Sequence, residues 1–113
     1  MRTIRHPPIK RPEQEFTFQF GQLVDVIEIA KQVIEHNADN KTVNKIWTLW
    51  PLERPTLAVY LGRRELYDLK ISPHKTGNPP MQARLWTHVG ALICFKGYNP
   101  QKVFFSSIRP IKK

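Results

Sequence analysis

The sequence predicts a small α+β domain, with one amphipathic helix on a curled antiparallel sheet of five or six strands. Three observations lead there. A chain of 113 residues, 41% of them hydrophobic, makes one domain with a modest core. Short apolar runs alternate with period two along most of it, separated by Gly and Pro. One segment, residues 22–36, repeats instead in steps of three and four.

The elements follow in order. Residues 1–14 hold three prolines and four basic residues and little that can pack, so they are expected as a flexible basic arm; residues 15–113 form the globular domain. Residues 15–20 alternate, which places Phe16, Phe18 and Phe20 on one face of a strand. Gly21 breaks that pattern. From Gln22 to His36 the polar residues fall at 22, 25, 28, 31, 32, 35 and 36, giving a helix with a broad apolar face. Residues 37–40 act as its stop signal. The β-branched residues 23–29 also support a competing strand that begins just after the glycine. Residues 45–50 alternate as a strand, Pro51 and Pro55 bracket a turn, and residues 56–61 form an apolar strand ended by Gly62. Residues 65–71 alternate again, with Glu65 and Asp68 on opposite sides. Residues 72–80 form a long loop with three prolines and a glycine. Residues 84–89 and 91–95 read as one bent strand kinked at Gly90. Residues 97–100 make a hairpin loop, and residues 103–108 are the last strand, ended by Pro110. Sequential short strands of this kind form an antiparallel sheet that curls or closes to protect its edges.

The segment 20–24 (Phe-Gly-Gln-Leu-Val), the strand ending at Gly62, and the turn into residues 103–110 together resemble the rhythm of SH3-like small barrels. That resemblance covers roughly residues 18–111. It implies a five- or six-stranded barrel that serves as a binding module rather than an enzyme. Residues 30–44 depart from it, being long and helical for a barrel loop.

Charge gives the clearest functional signal. After Asp68 there is no acidic residue: residues 69–113 carry Lys70, Lys75, Arg84, Lys96, Lys102, Arg109, Lys112 and Lys113, so this segment supplies +8 of a net +9. Residues 15–39 carry a net −4. A one-sided field of this size points to a polyanionic partner. The function expected is non-catalytic binding of nucleic acid or a nucleoprotein complex, and the charge pattern does not distinguish DNA from RNA. Arg84, Lys96, Lys102, Arg109 and Lys112 would contact phosphate, and the arm residues Arg2, Arg5, Lys10 and Arg11 would lie along the backbone. Aromatic residues interleave with these cations, and Tyr98, between Gly97 and Asn99, is the best candidate for a ring that stacks on a base. Trp86, Phe95 and one of Phe104 or Phe105 are expected in the core. The alternative is a protein-interaction module, an adaptor or inhibitor, that docks on an acidic partner surface. Asp25, Glu28 and Glu35 would form a solvated acidic face of the helix.

The inventory for chemistry is thin. No His, Cys, Asp and Glu fall at metal-ligand spacing, and one cysteine is too few for structural zinc, so no metal and no cofactor are expected. Cys94 with His88 would be a nucleophile–base pair only by accident of the fold. Glu65 and Asp68 suit a salt-bridged strand edge beside Arg63 and Arg64. Cys94 lies in an apolar run where a buried inert thiol is expected. No apolar stretch approaches the ~20 residues that span a bilayer, and the basic N-terminus is not followed by the apolar segment of a secretory signal. A reducing, cytoplasmic setting without membrane contact is the expectation.

Overall fold

The computed structural model describes residues 2–3, 17–72 and 81–111. These residues form β1 (Arg2–Thr3), β2 (Leu23–His36), β3 (Val43–Ser72), β4 (Met81–Phe95), β5 (Gln101–Phe104), a 3-10 turn (Phe105–Ser107) and β6 (Ile108–Pro110). All ladders are antiparallel and the order across the sheet is β5-β4-β3-β2-β6, with β1 paired to β3. There is no α-helix among the described residues, so the predicted α+β class is overturned. The predicted resemblance to a closed small barrel also gives way: β5 and β6 are the two edges of an open sheet, and among the described residues no ladder joins them. The 3-10 turn carries the chain from one edge to the other.

The predicted helix at residues 22–36 is strand β2. Its burial alternates, with Val24, Val26, Glu28 and Ala30 pointing inward. Helical spacing would have hidden Ile34, which is 59% exposed. The inward position of Glu28 disguised the period. A carboxylate on the core face reads as a break in alternation, yet this one is accommodated because the Ser107 hydroxyl donates to it at 3.1 Å. Glu28 therefore does not belong to a solvated acidic face. Asp25 stays on the outward side, half-exposed and directly opposite Arg109 on β6. The stop signal at residues 37–40 is the β2–β3 hairpin turn. Asn40 takes a positive φ of 57° there, and the Asp39 carboxylate accepts the backbone N–H groups of Lys41 and Thr42.

The strand predicted at 15–20 is absent over its described part. Phe18 is buried, but Phe20 is 79% exposed and follows an irregular segment into a turn at Gly21, whose φ is +85°. Phe16 lies outside the described residues, as do residues 4–16 of the predicted arm and 73–80 of the predicted loop. The turn predicted between Pro51 and Pro55 is instead a bulge inside β3. Four residues, 52–55, oppose the single Ile27 of β2. Prolines lack the N–H that a ladder uses, and bulges tolerate them.

β3 thus has two limbs. Residues 43–51 pair with the distal half of β2; residues 56–72 pair with the proximal half of β2 and with β4. The first core cluster lies under Val24, Val26, Ala58, Tyr60, Ala91, Ile93, Val103 and Ile108. A second gathers Ala30, Leu49, Leu66 and Phe104 with Trp47, so it joins the two limbs of β3. β4 runs unbroken through Gly90, as the one-strand reading predicts. A Cβ at Gly90 would lie 2.8 Å from the Val103 carbonyl oxygen and 2.9 Å from Leu66 side-chain carbons. The glycine serves close packing there. No helix of the described residues is long and apolar enough to cross a membrane.

Candidate functional site

β3 and β4 run side by side beyond Gly62, with Glu65 opposite Val89, Leu66 opposite His88, Tyr67 opposite Thr87 and Asp68 opposite Trp86. Two features arise on this ribbon.

The first is a buried polar pair. Asp68 and His88 are diagonal neighbours on one face, and both are almost wholly buried. Asp68 Oδ2 lies 3.0 Å from His88 Nε2, and Asp68 Oδ1 accepts the Trp47 backbone N–H at 2.9 Å. A carboxylate only accepts, so Nε2 carries the hydrogen. The His88 ring meets Phe104 edge-on, with centroids 5.3 Å apart. His88 Nδ1 and Trp47 Nε1 have no partner among the described residues. The arrangement orients an imidazole, but among the described residues no nucleophile is hydrogen-bonded to it. Cys94 stands six positions along β4, about 20 Å away at ~3.3 Å per residue, and its Sγ donates to the Tyr98 carbonyl at 3.2 Å. The Cys94–His88 pair is therefore not assembled, and the Cys94 side chain is half-buried rather than enclosed. Among the described residues no group of three His, Cys, Asp or Glu side chains could hold a metal ion. Asp68 joins the two limbs of β3 through the Trp47 backbone.

The second feature is an open depression of about 580 Å³ lined by Arg63, Arg64, Glu65, Tyr67, Thr87, His88, Val89 and Lys102. Its cations are held in place. The Arg84 guanidinium stacks over the Tyr67 ring at 4.1 Å, and Arg63 lies over the Phe105 ring at 5.4 Å. Arg64 Nη1 donates to the Arg63 carbonyl at 2.8 Å. Glu65 supplies the one carboxylate of the lining, and it accepts the Tyr67 hydroxyl. That bond raises the Tyr67 pKa above its ordinary value, with desolvation adding to the shift. Stacked guanidinium groups with a free hydrogen-bonding edge suit phosphate oxygens.

The predicted contact residues divide. Lys102 lines the depression, and Arg84 adjoins it through Tyr67. Lys96 and Tyr98 sit at the tip of the β4–β5 hairpin, where Tyr98 is 72% exposed. Arg109 is on β6, the opposite edge, and its guanidinium donates to the Ser106 and Ile108 carbonyls. Arg2 belongs to β1, whose backbone pairs with Leu49. Arg5, Lys10, Arg11 and Lys112 lie outside the described residues. Sequence reasoning missed Arg63, Arg64 and Tyr67 as site residues, because the acid-free stretch starts one residue past Asp68. The signal available was alternation: it places Arg63, Glu65 and Tyr67 on one side of a strand and Asp68 on the other. Of the expected core aromatics, Phe104 is buried, Phe95 packs against the first cluster and Trp86 is half-buried.

No family model, curated protein or solved structure matches the chain.

Proposed function

We propose that the protein binds nucleic acid without catalysis and that the depression on the β3–β4 ribbon contacts the phosphates. One observation carries this reading: Arg63, Arg64 and Lys102 line an open surface that Arg84 adjoins through Tyr67, and the one carboxylate of the lining is engaged by Tyr67. Phosphate binding needs cations that are already positioned, and stacking on Tyr67 and Phe105 supplies that. The net charge of +9 adds long-range attraction.

The test is the salt dependence of affinity for a short DNA duplex. Each phosphate contact contributes about −0.9 to the slope of log affinity against log salt, so four contacts give roughly −3.6. Replacing both Arg63 and Arg64 by Ala should remove about 2 from that slope and leave the unfolding midpoint nearly unchanged, since both side chains are exposed. An unchanged slope in the double variant would refute the placement. No binding by the parent chain at ~50 mM salt would refute the function.

A further inference from the structure

An antiparallel sheet with one face in water alternates apolar and polar residues along each strand. β3 and β4 break that rule. Residues 57–61 and 91–95 are apolar at every position, the pattern of strands covered on both faces. Their inward positions, Ala58, Tyr60, Ala91 and Ile93, fill the first core cluster. The outward positions lie side by side: Leu23 is opposite Val59, and Val59 is opposite Cys94, so one apolar row crosses β2, β3 and β4. Leu57 and Leu92 extend the row to either side. Leu23 is 50% and Leu57 51% exposed, which is much for leucines at the centre of a sheet.

The rim of this face is basic. Lys102 stands opposite Leu92, and Lys96 follows Phe95 at the end of β4. On the other flank Asp25 and Arg109 stand opposite each other, one of each sign. The uncompensated charge at the β5 side is therefore positive. A second copy would bring +9 against +9, and residues 1–14 of the chain itself are basic too. Neither complements the rim.

We infer that this outer sheet face docks an acidic amphipathic segment of a partner protein, apolar side chains on Leu23, Leu57, Val59 and Leu92 and carboxylates on Lys96 and Lys102. The surface is separate from the phosphate-binding depression, sharing only Lys102 with it, and does not depend on that reading.

Cys94 lies within the face and is the one thiol of the chain, so its alkylation by N-ethylmaleimide reports coverage. The probe is a synthetic Leu/Glu amphipathic helix of ~18 residues, with a Leu/Lys peptide of the same apolar face as control. At saturation the Leu/Glu peptide should slow Cys94 alkylation about tenfold, and the Leu/Lys peptide should not. Leu57→Gln, and separately Leu23→Gln, should weaken the Leu/Glu peptide about tenfold; either variant that keeps the parent's circular dichroism suffices. The inference fails if neither peptide slows alkylation or if both do so equally. It also fails if alkylation of the chain alone slows as its own concentration rises, which would put a second copy on the face. Faster alkylation of the chain alone once residues 1–14 are removed would put that arm there. Protection by a short oligonucleotide in place of the Leu/Glu peptide would assign the face to nucleic acid and overturn it as well.

Discussion

Asp68→Ala tests whether one carboxylate holds the two limbs of β3 together. The side chain is wholly buried and accepts two hydrogen bonds, one from the Trp47 backbone N–H and one from His88 Nε2. Its removal orphans two buried donors at ~1–3 kcal/mol each, and breaking a buried pair from one side costs about 3–5 kcal/mol. The expected loss is thus about 3–5 kcal/mol, a large share of the roughly 6–17 kcal/mol available to a domain of this size. Asp68→Asn should lose less, about 1–2 kcal/mol. Its amide oxygen can still accept from Trp47, but its NH2 group then faces a ring nitrogen that must change tautomer to accept. Urea unfolding at constant m-value measures both. A double-mutant cycle with His88→Ala should give a coupling of at least ~1 kcal/mol. An Asp68→Ala protein within ~0.5 kcal/mol of the parent would refute the clamp and leave apolar packing as the tie between the limbs.

Gly90→Ala should destabilise by about 1–3 kcal/mol, because the new methyl group meets the Val103 carbonyl, which is backbone and cannot swing aside; a parent-like melting midpoint would show that β4 and β5 can separate there. Ile34→Asp should stay within ~0.5 kcal/mol in chemical unfolding, since the distal end of β2 runs past the core and leaves this side chain 59% exposed; a severe loss would restore a helical face at residues 22–36. The Asp39 carboxyl should titrate below its ordinary value of 3.8, because the Thr42 and Lys41 backbone N–H groups and the Thr42 hydroxyl bond to its charged form. With the folded pKa lowered, its contribution to stability is present above the ordinary value and disappears as pH falls through the folded one. Carboxyl-carbon NMR against pH checks this, and a midpoint at or above 3.8 would mean the turn is not held as described.

Much of the strand pattern is legible in the sequence because alternation survives wherever inward positions are apolar. Residues 45–50 and 65–71 read as strands because they alternate, and residues 56–61 because an apolar run stands between Pro55 and Gly62. Alternation fails to show at Glu28, where a buried carboxylate depends on a serine 79 positions away. It fails again at Pro51 and Pro55, because local turn chemistry does not reveal that a ladder resumes beyond a bulge. The Asp68–His88 pair is invisible for the same reason: its members are 20 residues apart and meet only through the register of β3 on β4. Of the cations in and beside the depression, Lys102 and Arg84 were readable from charge alone. Arg63 and Arg64 were masked by the adjacent Glu65 and Asp68; the fold sends Asp68 into the core and keeps Glu65 in the lining, where it accepts the Tyr67 hydroxyl.

The pairing of β2 with β6 has a consequence for how the molecule is made. Asp25 and Arg109 face each other although 84 positions separate them in the chain. During synthesis Val24 and Val26 leave the ribosome early, yet Ile108, the neighbour that closes the first core cluster, follows only after nearly every other described residue. At ~5–20 residues per second, that leaves an apolar strand edge open for roughly 4–17 seconds. The hairpin of β2 with the first limb of β3 can form locally in microseconds, whereas the ladder to β6 must wait and then close a long loop. Completion of the sheet is therefore a late event, and a nascent chain stalled before Ile108 presents the free edge of β2 to any other strand within reach.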